Sequence, residues 1–176
     1  MSRPSIAQIA DRIDTRADSF YQPLRKLSVL NFVMVAASTL GDWSLIWHLT
    51  GFIRGAITAQ FREIVLLSML LGVESLIVNQ GIKRLFRRER PTEHGAEGLR
   101  VRKPRTSSFP SGHASAAGFS AVMLTTMTGG WWAALWVVLA TTVSMSRFHV
   151  RIHHATDVVA GVFVGIALAV AMLPVL

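Results

Sequence analysis

Cysteine is absent from the 176 residues, which excludes disulfides, thiolate metal sites and cysteine nucleophiles. Charge is scarce as well: 16% of residues are charged against 51% hydrophobic, and the mean hydropathy is +0.43. A soluble globule of this length has too little interior to hide so much apolar surface, so the composition predicts an integral membrane protein. The charge that exists leans one way, with 18 Lys and Arg against 10 Asp and Glu. Those cations sit beside apolar runs rather than in an aromatic-interleaved soluble stretch, so no nucleic-acid partner is expected. The opening MSRPSIAQIADRIDTRADSF has neither an uninterrupted apolar core nor a small-residue cleavage site, and no removable secretory leader is expected.

What is there begins with an amphipathic pattern. Ile6, Ile9, Ile13, Ala17 and Phe20 recur at steps of three and four, with Asp11, Arg12, Arg16 and Asp18 elsewhere on the wheel. This predicts a helix lying in the membrane interface and ending at Pro23. Five apolar stretches follow: Leu27–Ile53, Ile64–Ile82, Ser111–Met127, Trp131–Met145 and Val158–Leu176. About twenty residues cross the hydrocarbon once, so Leu27–Ile53, interrupted by Gly41 and Asp42, counts as one span. The expected fold is all-α: an N-terminal segment (1–26) and one transmembrane bundle (27–176) of five spans, or six if Leu27–Ile53 crosses twice. Small residues from Gly112 to Gly118, with Gly161 and Gly165 at GxxxG spacing, predict close approach of the third and fifth spans. Alternating span direction puts the two long polar connections, Lys83–Pro110 and Ser146–Asp157, on one face.

Those connections carry the chemistry. In the first, Lys83 precedes Arg90 and Pro91, placing two cations where they would hold a dianionic phosphate. Such a cluster also reads as plain juxtamembrane positive charge. Arg87, Arg88, Arg102 and Lys103 are expected only to attract anionic lipid. Next, Pro110-Ser111-Gly112-His113 opens an apolar run. Ser111 suits a helix N-cap, Gly112 admits a ligand close to the backbone, and the first free amides favour an anion. His113 would face that anion as a proton donor, or sit at the interface as an ordinary wet histidine. Last, Ser146-Arg147 leads to His153 and Asp157, an i, i+4 pair expected on one helical face, with the carboxylate bonding one ring nitrogen and freeing the other as a nucleophile. Arg147 adds a phosphate fork. His149, His153 and Asp157 recur at a spacing that also suits a helical metal site, but Arg147 and Arg151 would repel the cation, so no metal is expected. His149 and His154 are expected to be wet interfacial residues.

Lys-x6-Arg-Pro, Pro-Ser-Gly-His and Ser-Arg-x5-His-x3-Asp, in this order between apolar helices, resemble the signature of the type 2 phosphatidic acid phosphatase superfamily. The resemblance covers Lys83 to Asp157 by motif and the remaining spans by hydropathy. That family usually has six transmembrane helices, a departure from the five counted here. The resemblance implies a lipid phosphatase in which His153 attacks phosphorus to form a phosphohistidine, Asp157 orients His153, and His113 protonates the leaving oxygen and then activates water. Lys83, Arg90, Ser111, the Gly112 amide and Arg147 would hold the phosphoryl oxygens. A phosphoryl transition state needs positioning and cationic donors more than it needs a metal, so no cofactor is expected.

The expected partners are the bilayer and a lipid phosphate: phosphatidylglycerophosphate, phosphatidate, a polyprenyl diphosphate or a prenyl-linked phosphosugar. The loop 92–108, with Glu93, His94, Glu97, Arg100, Arg102, Lys103 and Arg105, is the expected headgroup selector. With five spans, every Lys and Arg outside the signature except Arg54 and Arg62 shares the face of the polar connections. The positive-inside rule then places the active site in the cytoplasm of a multi-pass plasma-membrane protein and favours a substrate made inside. The competing class is a transporter or channel using the intramembrane carboxylates Asp42 and Glu74; packing of each against a basic partner in the bundle is the simpler account.

Overall fold

The computed structural model describes residues 4–94, 99, 101–103 and 106–176, and the described residues form seven α-helices and no strand. Glu97, Arg100 and Arg105 of the expected selector loop lie outside the described residues.

Helix α1 (Ile6–Tyr21) starts at a capping box in which the Gln8 amide donates to Ser5 Oγ and Ser5 N donates to Gln8 Oε1. Its polar side faces inward. Asp14 is buried, while Ile6, Ile9, Ile13 and Phe20 are exposed on the outer side. Ala17 and Tyr21 instead turn inward against Phe148. A 3-10 turn containing Pro23 ends the helix, and Arg25 then donates to the Phe148 and His149 carbonyls at 3.1 and 3.0 Å.

The stretch Leu27–Ile53, counted as one interrupted span, forms two helices, α2 (Ser28–Leu40) and α3 (Leu45–Thr58), bent by 69°. The break falls at Gly41-Asp42, and Trp43 (φ 57°) and Ser44 (φ 58°) take the left-handed conformation that turns the chain. Helix α2 stays near one end of the bundle: Asn31 meets His149, Ser38 meets Arg147, and Gly41 lies against His113 and Val143. Helix α3 then runs to the opposite end, where Arg54 donates to Met127 O at 2.9 Å.

Helix α4 (Phe61–Ser75) returns and unwinds through a π-turn (Leu76–Gly81) and a 3-10 turn (Ile82–Leu85). Helices α5 (Gly112–Thr128), α6 (Trp132–His149) and α7 (Ala155–Met172) complete the bundle. Helix α6 extends further than expected, so Ser146 and Arg147 lie on its last turn. Trp47, Leu67, Leu71, Phe119, Met123, Leu124 and Val143 form the interior, while Phe52, Ile57, Met69, Val137, Phe163 and Val170 face outward. By length and hydropathy, Ala155–Val175 suffices for a membrane span among the described residues, with mean hydropathy 2.6, and the α2–α3 pair passes the same test together.

Helices α5 and α7 make the most extensive contact, as the small residues led us to expect. A Cβ at Gly165 would lie 1.9 Å from Ser115 O, and one at Gly161 would lie 2.4 Å from Ser111 O. Both obstacles are backbone, so only parting of the helices relieves them. Gly165→Ala is therefore expected to destabilise the protein by about 1–3 kcal/mol. Gly72→Ala, with nothing within 4 Å of the added carbon, serves as the control. Thermal unfolding in detergent checks this, and equal melting temperatures for the two variants would contradict the close packing.

Candidate active site

The α5–α7 contact fixes the site because both helices begin there, with Ser111 N donating to Asp157 O at 3.0 Å. Ser111 caps α5, its Oγ accepting from Ala114 N. Gly112 lies close to two polar side chains: a Cβ there would come within 2.9 Å of Asn79 Oδ1, which would have to shift, and 3.5 Å of Lys83 Nζ. Pro110 follows a cis peptide bond.

His153 is not on a helix, as the i, i+4 reading assumed, but in the turn ahead of α7, with Asp157 in that helix's first turn. The two remain adjacent, Nδ1 to Oδ2 being 3.7 Å, and Ser108 stands between them. Its Oγ donates to Asp157 Oδ2 at 2.6 Å and lies 3.3 Å from His153 Nδ1. With the hydroxyl proton on Asp157, Ser108 accepts from an Nδ1–H, which leaves the lone pair on Nε2. Arg90 Nη1 lies 3.2 Å from that nitrogen. Burial pushes the His153 ring well below its ordinary protonation range. Asp157 opposes this shift, and Arg90, Arg147 and Lys83 add to it, so the ring is neutral near pH 7.

Arg90 is buried and fixed by the carbonyls of Ile152, Thr106 and Ser107 at 3.0 to 3.3 Å. Arg147, also buried, bonds Ser38 through Nη1. Among the described residues, Arg147 Nε and Nη2 and Arg90 Nε are buried donors with no acceptor. Lys83 is buried on its 3-10 turn; burial, then Arg90 and Arg147, lower its proton affinity to about 8. All eight positions singled out in the sequence, Lys83, Arg90, Ser111, Gly112, His113, Arg147, His153 and Asp157, thus lie at one end of the bundle.

Several neighbours had no signal in the motifs. Arg88, expected to be a surface cation, donates to Asp157 Oδ1 at 2.7 Å and to Asp14 Oδ2 at 2.6 Å. Asp14 also accepts from Thr156 N and Oγ1, both at 2.8 Å, so α1 caps α7 from outside. Arg102, expected to take part only in lipid attraction, stacks over Trp43 at 4.5 Å. His149, expected to be wet, is buried between Tyr21 OH (3.2 Å) and Asn31 Oδ1 (2.8 Å), and these contacts occupy both its ring nitrogens. Of the two carboxylates expected within the membrane, Asp42 lies 3.0 Å from His113 Nε2, whereas Glu74 accepts from the Ser115 hydroxyl with Lys83 close enough to act on its charge. Only Ser108, two residues before the Pro-Ser-Gly-His run, carried a positional hint.

The sequence profile of the PAP2 superfamily matches residues 63–176, all three motifs included. The chain belongs to the PAP2 superfamily. Among curated PAP2 relatives, decaprenylphosphoryl-5-phosphoribose phosphatase of Mycobacterium tuberculosis is 39% identical over 84 residues, covering 48% of this chain and 45% of that protein. The Mycolicibacterium smegmatis protein of the same name is 41% identical over 80 residues, covering 46% and 42%. The chain thus spans less than half the length of these relatives in the matched region. The crystal structure of a transmembrane PAP2 type phosphatidylglycerolphosphate phosphatase from Bacillus subtilis superposes with a TM-score of 0.71 at 24% identity, over 96% of this chain and 85% of that one. That likeness shows a shared fold.

If Lys83 holds an anion, its charge must be present in the free protein. The lysine is protonated below about pH 8 and neutral above it, so kcat/KM toward an anionic substrate should fall as pH rises through 8. Lys83→Arg, with a guanidinium that stays charged, is expected to remove that limb. A limb unchanged in Lys83→Arg would assign it to another group.

Proposed function

We propose that this protein is an integral membrane phosphatase that removes a phosphoryl group from a lipid, through a phosphohistidine on His153 and without a metal. One observation carries the reading: Lys83, Arg90 and Arg147 are buried together beside a neutral histidine, and three guanidinium nitrogens there lack an acceptor. Buried like charges with unpaired donors are costly unless an anion completes them. A phosphoryl group fits, with its oxygens on those donors and on the Gly112 amide. His153 Nε2 attacks phosphorus, and Asp157, through Ser108, stabilises the charge that develops on the ring. His113 protonates the leaving oxygen and then takes the proton of the attacking water. The cationic surroundings would repel a divalent ion, and they supply the charge such an ion would bring.

The substrate we favour is a prenyl-linked phosphosugar, the class in the names of the mycobacterial relatives, with phosphatidylglycerophosphate next. A site facing the cytoplasm in a five-span bundle accords with this. Helix α1, Arg25 and both ends of α2 lie at the end of the bundle that holds the site, so the N-terminal cations share its face. The transporter reading loses its support, because Asp42 and Glu74 are both engaged with residues of α5.

Purified protein should release phosphate from lipid monophosphates with chelator present, and His153→Ala should lower turnover by at least about 1000-fold. His113→Ala should accumulate acid-labile, base-stable phosphate on the protein when the leaving group is good. Near-normal turnover in His153→Ala would overturn the mechanism. For sidedness, Arg87 is exposed on the site's face, and the chain has no cysteine of its own. In intact cells Arg87→Cys should resist a membrane-impermeant thiol reagent, and ready labelling would put the site outside.

A further inference from the structure

The break between α2 and α3 is the most strained backbone among the described residues. Trp43 (φ 57°, ψ 22°) and Ser44 (φ 58°, ψ 24°) are consecutive non-glycine residues in the left-handed region. Such strain persists only where surrounding contacts enforce it. The break brings Asp42 Oδ1 to 3.0 Å from His113 Nε2, with both side chains mostly enclosed, at 16% and 14% exposed. Gly41 lies flat against the same ring, where a Cβ would meet His113 Cδ2 at 2.6 Å. One turn earlier Ser38 holds Arg147, and Arg102 lies over Trp43 from the far side. The end of α2 is therefore a wall of the site, although it lies outside the segment that matches the PAP2 profile.

We propose that Asp42 is the positioning residue for His113: its carboxylate accepts from Nε2–H and so presents Nδ1 to the leaving oxygen. This rests on the phosphatase reading above and assigns a role that reading left open. In the first half-reaction His153 Nε2 bonds to phosphorus as the bond from phosphorus to the lipid oxygen breaks, and that oxygen takes the Nδ1 proton of the His113 imidazolium. In the second, water oxygen bonds to phosphorus, the N–P bond breaks with its electron pair returning to His153, and the water proton goes to His113 Nδ1. With the anionic phosphate bound, Asp42 favours the imidazolium that the first half-reaction needs, against burial and the repulsion of nearby Arg147 and Lys83. His153 and His113 thus each have a carboxylate, Asp157 from α7 and Asp42 from the break.

The test uses the full chain in detergent micelles, with an alkyl phosphate such as a prenyl phosphate and an aryl phosphate such as p-nitrophenyl phosphate. In Asp42→Asn, phosphoenzyme formation from the alkyl ester should slow on the order of 100-fold, because its leaving oxygen needs the proton. The aryl ester, whose leaving group departs unprotonated, should keep its initial burst of phenolate while steady-state turnover falls. Asp42→Glu should recover part of the alkyl rate, and a melting temperature near that of the wild type in Asp42→Asn checks the fold. A merely structural role would depress both bursts alike, and that result, or wild-type kinetics in Asp42→Asn, would overturn the assignment. Failure of the wild type itself to release phosphate from either ester would instead overturn the phosphatase reading, and this assignment with it.

Discussion

Three buried cations beside a neutral histidine are under electrostatic stress, and much of the surrounding architecture offsets it. Burial first, and then repulsion from Arg90 and Arg147, brings the Lys83 pKa down to about 8. The restoring contacts are mostly backbone carbonyls: Ile152, Thr106 and Ser107 on Arg90. Carbonyls orient a guanidinium without neutralising it, so the site keeps its positive potential for a ligand. A carboxylate bonded directly to Arg90 or Arg147 would stabilise the resting protein and weaken its hold on an anion. The carboxylates that do enter are kept to particular neighbours: Asp157 to Ser108 and Arg88, and Asp42 to His113.

Placing those carboxylates is the work of the N-terminal third of the chain. Asp14 spans 142 positions to reach Thr156 and fixes Arg88, which in turn fixes Asp157. Helix α1 can do this because its polar side faces the protein and its isoleucines face away, where an interfacial helix meets lipid. Burial of α1's polar side against the bundle and orientation of Asp157 therefore share one rigid element.

The helices and the signature residues were legible in the sequence because both are local. Ser111 caps the helix it precedes, and GxxxG spacing announces a close contact whatever the partner. What the sequence hid is tertiary. Arg88 and Arg87 are neighbours in one basic run, and nothing in their spacing tells which one meets a carboxylate. The i, i+4 step from His153 to Asp157 was read as helical, yet the chain begins α7 only after His153, and a serine from another segment fills the resulting gap. The interruption at Gly41-Asp42 was visible, but its 69° bend depends on left-handed residues, Trp43 and Ser44, that no propensity favours.

The two helix starts at the site divide the labour. Each presents unpaired amides and a positive dipole end, and both would attract the same anion. At α7 the attraction is already satisfied, since Asp157 Oδ2 takes the His154 amide and Asp14 takes the Thr156 amide. At α5 the first turn contains no acidic residue, and its cap, Ser111, is uncharged. Gly112 follows at the first helical position, directly beside the side chains of Asn79 and Lys83. Saturating one helix end with carboxylates while leaving the other to glycine would, in the proposed mechanism, give the nucleophile a negative partner and the phosphoryl oxygens a positive one. The two helices cannot exchange these roles, because the contact that joins them, Ser111 N on Asp157 O, fixes which end lies beside Lys83 and which beside His153.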